Sequence, residues 1–165
     1  MRTRGRRVPD GQERASALSA SYDAIVVGGG AAGLFCAALA GQRGARVLLL
    51  EHNQDVGAKI LISGGGRCNF TNRDAGRAER FISANPHFAR SALARFTPAD
   101  FIALIEKHRI AYYEKTLGQL FGEGVGAARK IVRMLLDECD AGGVEIHTGV
   151  GISSVTKTDR FHLET

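Results

Sequence analysis

The chain has 165 residues, enough for one ordinary domain with a buried core. A composition of 44% hydrophobic and 24% charged residues is globular and excludes fibrous and wholly disordered chains. The net charge of +5 arises mostly in residues 1–20, where five arginines outweigh one aspartate and one glutamate. We therefore expect a disordered basic tail before a nearly neutral body, and we do not expect nucleic acid as a partner.

The three cysteines, Cys36, Cys68 and Cys139, are widely spaced and form no C-x-x-C motif. This spacing favours neither a disulfide framework nor a zinc site, and it suits a reducing cytosol. No apolar run reaches the ~18–20 residues of a membrane span, and the first residues lack the apolar segment of a signal peptide. We predict a cytoplasmic protein without a membrane contact or a bound metal. The sequence indicates no oligomeric state.

Residues 21–165 begin with a pattern typical of a strand, a tight turn, a helix and a second strand. Tyr22–Val27 is a short apolar run that ends in glycines, which predicts a buried parallel strand. Ala31–Arg43 is rich in alanine and leucine and predicts a helix that ends near Gly44. Arg46–Glu51 predicts a second buried strand. These segments together indicate a right-handed βαβ unit.

The turn between the first predicted strand and the predicted helix has the G-x-G-x-x-G spacing of a dinucleotide fingerprint. Gly28 permits the tight turn, Gly30 lets a pyrophosphate approach the backbone, and Gly33 lets the helix pack closely. Ala32, inside the same motif, is included among the predicted cofactor contacts. Glu51 ends the second strand, where its carboxylate can bind a ribose diol and disfavours the 2′-phosphate of NADP. The sequence thus predicts a site for an ADP-containing dinucleotide.

The rest of the chain predicts three helices, a third strand and a hairpin. Residues 52–85 show no periodicity, and we expect a long irregular loop there. Thr97 as N-cap and Pro98 at the first helical position indicate a helix that runs to His108. We predict an α/β fold with an incomplete doubly wound sheet and the start of a β-meander, and we expect the chain to be a fragment of a longer protein. The remaining predicted elements are helices at Pro86–Arg95 and Ala127–Ala141, a strand at Val144–Thr148, and a hairpin of Ile152–Lys157 and Phe161–Glu164.

A second glycine-rich segment lies inside the expected loop, at residues 59–69. The three consecutive glycines at 64–66 offer free backbone N–H groups to a phosphate or a flavin edge. Arg67 can donate two hydrogen bonds to a phosphate or to a flavin carbonyl. An NAD-only domain needs no such loop directly after its ribose acid, and this favours FAD. The predicted cofactor contacts of this loop are Lys59, Ser63, Gly64, Gly65, Gly66, Arg67, Cys68 and Asn69.

The run Gly57–Asn72, with the sequence GAKILISGGGRCNFTN, resembles the signature of a bacterial flavoprotein family. Its members are the BaiN/RdsA-type, or aminoacetone-oxidase-like, NAD(P)/FAD-dependent oxidoreductases. Gly118–Phe121 and the helix that follows it, into Gly143 and Val144, are similar to the same family. The resemblance covers about residues 22–165.

This resemblance implies a Rossmann-like FAD/NAD(P)-binding βαβ fold of the glutathione-reductase-2 type, with FAD held noncovalently. By the resemblance, the fingerprint glycines hold the pyrophosphate, and Glu51 binds the adenosine ribose. Lys59 and residues 64–69 lie along the pyrophosphate and the flavin, and the backbone of Ile152 contacts the adenine edge. In the family a hydride passes between the flavin and a small organic substrate, with NAD(P)H as the expected donor. Because members continue well beyond this length, we expect residues 21–165 to be the N-terminal part of an FAD-binding domain, and we expect this chain to be inactive alone.

Three alternatives remain open. An RNA-associated flavoprotein or RNA-binding module would use the basic tail, although the Gly57–Asn72 run favours the family above. An NAD-only Rossmann domain would leave the second glycine loop without a role. Cys68 could be a redox thiol, but no second cysteine is near it in sequence, which favours a buried structural residue. Cys36 and Cys139 are expected in the core. The scattered histidines and Tyr112–Tyr113 receive no role, and no catalytic residue is named.

Overall fold

The computed structural model describes residues 21–77, 79, 81–85 and 87–165. The predicted basic tail lies outside these described residues, as does Pro86, where a helix was predicted to start. The described part is α/β, with one parallel sheet, one antiparallel sheet and a hairpin. Its strands are β1 (Ala24–Val27), β2 (Val47–Glu51), β3 (Asn69–Asn72), β4 (Tyr112–Glu114), β5 (Gln119–Gly122), β6 (Glu145–Thr148), β7 (Ser154–Lys157) and β8 (Phe161–Glu164), and its helices are α1 (Ala31–Gln42), α2 (Ala58–Ile62), α3 (Arg90–Arg95), α4 (Pro98–Lys107) and α5 (Ala127–Ala141).

The parallel sheet has the strand order β1-β2-β6. Val26 pairs with Leu49 and Leu49 pairs with Ile146, so β2 is the central strand. All five residues of β2 are buried, which explains why its sequence is a continuous apolar run rather than an alternating one. The three predicted parallel strands and the βαβ unit are confirmed. The prediction that the first strand is buried is wrong, because β1 is an edge strand that is half-buried and ends in the exposed Val27.

Helices α1 and α5 pack against each other beside this sheet. A Cβ atom added at Gly41 would lie 2.4 Å from the Gly142 carbonyl oxygen, so the two helix ends can approach only because this position is glycine. Leu34 and Cys139 are both fully buried, and the Cys139 thiol donates to the Leu34 carbonyl at 3.3 Å. The long apolar stripe of α5 therefore belongs to the core, as its sequence predicts.

A charged cluster joins α1, α4 and α5. The Glu138 side chain accepts hydrogen bonds from Gln42 Nε2 at 2.8 Å and from Lys107 Nζ at 2.7 Å. His108 Nε2 lies 2.6 Å from the same carboxylate. Burial alone raises the pKa of Glu138, but hydrogen bonds from Lys107, His108 and Gln42 outweigh it and lower this pKa to about 2. The carboxylate is therefore ionised at neutral pH and holds the three helices together.

The antiparallel sheet has the order β3-β5-β4 and was not predicted. Tyr113 pairs with Phe121, and Asn69 pairs with the same phenylalanine from the other side. The register shifts between Asn69 and Thr71, where the β3 strand is irregular. The prediction of an irregular loop over residues 52–85 is thus wrong in part. Helix α2 and strand β3 lie within this segment. Strand β3 was not recognisable from the local sequence, because its partner strand β5 begins only at Gln119.

The connecting helices differ in how well they were predicted. α4 begins with Thr97 as its N-cap and Pro98 at its first position, as predicted, and the structure adds a capping box. In it, Thr97 Oγ1 accepts from the Asp100 N–H and the Asp100 carboxylate accepts from the Thr97 N–H. Helix α3 begins only at Arg90, later than predicted. The reason is a turn in which the Asn85 side chain accepts from the His87 N–H.

The hairpin of β7 and β8 is confirmed, but its first strand is shorter than predicted. Ile152 precedes β7, which begins at Ser154, so the prediction of Ile152 on a strand is wrong. The cause is that pairing with β8 starts at Ser154 opposite Glu164. Among the described residues, no helix combines the length and the apolar character that a membrane crossing requires.

Candidate dinucleotide-binding site

The turn between β1 and α1 depends on two glycines. Gly28 has a φ of 99°, in the left-handed region that favours glycine, and its N–H donates to the Leu50 carbonyl at 2.7 Å. A Cβ atom at Gly33 would lie 1.9 Å from the Gly28 carbonyl oxygen. Only glycine at position 33 therefore lets α1 lie this close to the turn.

The N-terminus of α1 is open toward an anion. Gly30 is its N-cap, no side chain caps the helix, and the first turn contains no acidic residue. A Cβ atom at Gly30 would meet no atom within 4 Å, so the space above the turn is free. The positive end of the helix dipole and the first N–H groups can therefore face a phosphate.

Glu51 is a buried carboxylate at the end of β2, and it organises the backbone around it. Its Oε2 accepts from the Gly29 N–H at 2.6 Å, and its Oε1 accepts from both the backbone N–H and the side-chain amide of Asn53 at 2.8 Å. The hydrogen bond from the Asn53 N–H is the largest cause that lowers the pKa of Glu51, and that from Gly29 adds to it against the opposing effect of burial. The ionised carboxylate thus fixes the fingerprint turn.

A cavity of about 650 Å³ lies between this turn, α2 and the start of β3. It brings together six of the predicted contact residues: Gly30, Glu51, Lys59, Ser63, Cys68 and Asn69. The other eight do not line it: Gly28, Ala32, Gly33, Gly64, Gly65, Gly66, Arg67 and Ile152. Gly28 and Gly33 act on the shape of the turn instead, and Ala32 is an exposed residue of α1.

Sequence reasoning missed part of the cavity wall. Asn53 lies two residues after Glu51 and contributes to the wall through the hydrogen bonds described above. A polar residue at this spacing after a strand-ending acid is a local signal that could have been used. The apolar wall has no such signal, because it comes from three separate elements: Phe70 from β3, Phe101 from α4, and Ile131 and Leu135 from α5.

The second glycine loop follows α2 and has a backbone that other residues adopt rarely. Gly64, Gly65 and Gly66 have φ values of 58°, 66° and 80°. A Cβ atom at Gly64 would lie 2.7 Å from Cε1 of Phe121, so this glycine packs directly on an aromatic ring of β5. The carbonyl of Gly66 accepts from the Ala128 N–H at the start of α5. The loop therefore connects the cavity to the antiparallel sheet.

Arg67 points away from the cavity. Its Nη1 donates to the Tyr113 hydroxyl at 3.0 Å, on the antiparallel sheet. The backbone of Arg67 continues the loop, and its carbonyl accepts from the Gly122 N–H at 3.0 Å. The side chain thus lies at the boundary between the second glycine loop and β4.

The cysteines divide by burial. Cys68 and Cys139 are buried, as predicted, and the structural rather than redox role of Cys68 stays a prediction. Burial raises the pKa of the Cys68 thiol, although a hydrogen bond with Ser63 opposes this, so the thiol form is favoured.

Cys36 is exposed, and the prediction that it belongs to the core is wrong. It lies on the face of α1 opposite to the buried Leu34, Ala37 and Ala38. In the residues that the structure describes, no three potential ligands are grouped to hold a metal ion.

The protein-family model described as the HI0933-like protein Rossmann domain matches residues 22–165 of this chain. The chain belongs to this family. The match covers the parallel sheet, the antiparallel sheet and the hairpin together, and it agrees with the family resemblance of the Gly57–Asn72 run. The fold is therefore that of the Rossmann-like FAD-binding domains, and the fold prediction is confirmed.

Two curated relatives differ in their named activities. The chain is 54% identical over 138 residues to a ribosomal RNA dihydrouridine synthase of Escherichia coli, covering 84% of this chain and 34% of that protein. It is 30% identical over 132 residues to a 3-dehydro-bile acid delta(4,6)-reductase of Clostridium scindens, covering 79% of this chain and 32% of that protein. This HI0933-like chain thus spans about a third of the length of the curated relatives it matches.

Among solved structures, a 3-ketosteroid-delta4-(5alpha)-dehydrogenase from Rhodococcus jostii is similar in fold. Its TM-score is 0.59 at 13% identity, and the alignment covers 86% of this chain and 41% of that one. At this identity the likeness concerns the fold alone. It includes most of the described HI0933-like chain, and so it supports the same α/β architecture.

Proposed function

We propose that this chain forms the FAD-binding portion of a flavoprotein oxidoreductase. The observation that carries the proposal is that Gly30, Glu51 and Lys59, from three successive elements, border one cavity next to the second glycine loop. An ADP moiety accounts for the first two positions, because the N-terminus of α1 suits a pyrophosphate and the strand-ending acid suits a ribose. A dinucleotide with a second, larger half would use the cavity wall and the loop.

The residues of the cavity fit FAD chemically. The open space above Gly30 accommodates a pyrophosphate, and the charge of Lys59 complements it. Glu51 retains hydrogen-bonding capacity on Oε2, which accepts only from Gly29 among the described residues. Phe70 and Ile131 provide an apolar wall against which a flavin ring can pack. FAD, when bound, supplies the capacity to accept and donate a hydride, and the protein binds and orients it. We propose NAD(P)H as the donor.

We propose further that the substrate contains a carbon–carbon double bond activated by a carbonyl group. The supporting observation is that both relatives carry names of such reactions, since dihydrouridine formation and delta(4,6) reduction each saturate a double bond conjugated to a carbonyl. The higher identity, 54%, favours uridine in ribosomal RNA over a steroid. This choice differs from the expectation of a small organic substrate, which stays an untested prediction together with the cytoplasmic location.

The cofactor proposal is tested by flavin uptake. We expect the purified protein to retain or take up FAD and to show the visible absorption bands of a bound flavin. Glu51→Gln should weaken FAD binding by at least about tenfold, because it removes the charge that accepts the ribose hydrogen bonds. Glu123→Gln is the matched control, since Glu123 is exposed and does not line the cavity. Colourless protein that takes up no added FAD would contradict the proposal.

The substrate proposal is tested separately. Ribosomal RNA from cells that lack the gene and from cells that retain it would be compared for dihydrouridine by mass spectrometry of nucleosides. We expect the dihydrouridine content of the ribosomal RNA to fall in the absence of the gene and to return on complementation. An unchanged dihydrouridine content, together with reduction of a steroid enone by the purified flavoprotein, would favour the small-molecule alternative instead.

A further inference from the structure

The antiparallel sheet presents a surface that combines aromatic rings with cations. We define the Tyr113 surface as Arg67, Tyr113, Lys115 and Phe121. Tyr113 of β4 and Phe121 of β5 are directly paired across the sheet, and their rings stack with centroids 6.0 Å apart at an angle of 26°. Phe121 is buried and Tyr113 is half-buried. The Phe121 ring therefore supports the stack from the protein interior, and the Tyr113 ring is the part that reaches the solvent.

Two cations flank this stack. Arg67 Nη1 donates to the Tyr113 hydroxyl at 3.0 Å, and Lys115 Nζ lies 4.6 Å from the Phe121 ring centroid. Both side chains are exposed, and neither forms an ion pair with an acid of the described residues. Arg73, on the neighbouring strand connection, contrasts with them because its guanidinium is neutralised by Glu114 at 2.6 Å. The charges of Arg67 and Lys115 are therefore available to an anionic partner.

The surface begins at the proposed flavin site. Gly64 packs on the Phe121 ring, where an added Cβ atom would lie 2.7 Å from Cε1. Arg67 follows the same glycine loop directly in the chain. Cys68 and Asn69 line the adjacent edge of the cavity, and Asn69 pairs with Phe121. A molecule bound on the Tyr113 surface would therefore extend outward from this edge of the cavity. Among the described residues, this continuity distinguishes the surface from the pair of Lys157 over Phe161, which lies on the β7–β8 hairpin.

We propose that the Tyr113 surface binds single-stranded RNA beside the target uridine. Arg67 and Lys115 contact backbone phosphates, and the Tyr113 ring, supported by Phe121, stacks with a base next to the target nucleotide. This inference rests on the proposed function. Its chemistry is that of single-strand recognition, where a cationic groove follows the phosphates and aromatic rings stack on the bases. An enzyme that reduces a base must hold the flanking strand while the target base leaves its stack.

The test compares two lysines in matched contexts. Lys115→Gln and Lys157→Gln each remove one cation that lies over a phenylalanine, and each leaves residues 1–20 intact. Binding of a short labelled single-stranded RNA that contains uridines would be measured by fluorescence anisotropy over a range of salt concentrations. We expect Lys115→Gln to weaken binding about five- to tenfold and to reduce the salt slope by about 0.7, the value for one phosphate contact on a single strand. Lys157→Gln should change neither quantity.

A second pair of variants examines stacking. Tyr113→Leu should weaken RNA binding about tenfold, because it removes one base–aromatic stack. Tyr113→Phe keeps the ring and should retain most of the affinity. FAD content and the thermal unfolding midpoint of each variant would be measured in parallel, and we expect both to remain unchanged.

The outcomes separate this inference from the proposed function. Equal losses in Lys115→Gln and Lys157→Gln would overturn the inference, because they would indicate a response to net charge alone. Absence of RNA binding by a wild-type protein that contains FAD would also overturn it while leaving the cofactor proposal intact. A wild-type protein without FAD would contradict the proposed function, and the difference between the two lysine variants would still decide whether this surface binds RNA.

Discussion

The two sheets of this protein are built from different kinds of contact. The parallel sheet buries all of β2 and is packed by α1 and α5 through aliphatic side chains and close glycine contacts. The antiparallel sheet is more open, since the β4 residues Tyr112 and Tyr113 are only half-buried and Glu114 is exposed. Its contacts are aromatic rings, cations and hydrogen bonds between side chains.

This difference separates a scaffold from a contact surface. Tight aliphatic packing fixes the fingerprint turn and the position of Glu51, which a nucleotide site requires. The aromatic and charged side chains of β4 reach the solvent, where they can contact a second molecule. We therefore expect substitutions in the parallel region to change stability most, and substitutions in the antiparallel region to change it least.

The largest effect is expected at the fingerprint turn. Gly33→Ala should lower the free energy of unfolding by about 3 kcal/mol, because its Cβ would overlap the Gly28 carbonyl oxygen. Gly30→Ala is the control, since its Cβ would meet no atom within 4 Å, and it should cost less than about 1 kcal/mol. Urea unfolding measures both values. Similar losses in the two variants would show that the close contact does not limit the turn.

The next largest effect concerns Glu138 between the helices. The pKa of Glu138 is lowered from 4.5 to about 2. The stability that its ionised carboxylate contributes is therefore fully present above pH 4.5 and is lost as the pH falls through about 2. That shift corresponds to about 3 kcal/mol at most. Glu138→Gln should remove this acid dependence and destabilise the protein by about 2 kcal/mol at neutral pH.

The neighbouring Asp137 provides the control for this prediction. Its carboxylate pairs with Arg133 at 2.8 Å on an exposed part of the same helix. Asp137→Asn should therefore change stability by less than about 0.5 kcal/mol. Chemical unfolding between acidic and neutral pH would compare the two variants, and an unchanged pH profile in Glu138→Gln would refute the assignment.

A smaller effect is expected where the second glycine loop meets the antiparallel sheet. Gly64→Ala and Gly65→Ala both place alanine at a positive φ, 58° and 66°, which costs about 1 kcal/mol in each case. Only Gly64 also packs on the Phe121 ring, so its variant should lose about 1 kcal/mol more. Unfolding free energies that agree within error would mean that Phe121 moves aside without cost.

The smallest effect is expected for the Arg73–Glu114 ion pair. Although Arg73 Nε lies 2.6 Å from Glu114 Oε2, the Arg73 side chain is 52% exposed and the Glu114 side chain is 43% exposed. A double-mutant cycle with Arg73→Gln and Glu114→Gln should give a coupling of about 0.5 kcal/mol or less, which decreases further in high salt. A coupling above about 1 kcal/mol would indicate that the antiparallel sheet is more rigid than its exposure suggests.

Much of the candidate site could be predicted because its signals are local. The fingerprint glycines and Glu51 belong to one βαβ unit, and the structure places Gly30 and Glu51 on the same cavity. Six of the predicted contact residues line that cavity. Arg67 was predicted to contact the cofactor, but its side chain bonds to Tyr113, which is 46 positions away in sequence. No sequence pattern specifies a contact at that separation.

The sequence by itself determined the parallel sheet and the helices that cover it. Continuous apolar runs, glycine spacing and the Thr97–Pro98 helix start each act over a few residues, and so each can be recognised locally. Only the tertiary structure decided the antiparallel sheet and the surface around Tyr113. Strands β3, β4 and β5 have three or four residues each, and none of them is a continuous aliphatic run such as that of β1. They form because β3 and β5, which are far apart in the chain, complete each other's hydrogen bonds, and because β4 pairs with the other edge of β5, where Tyr113 covers the Phe121 ring.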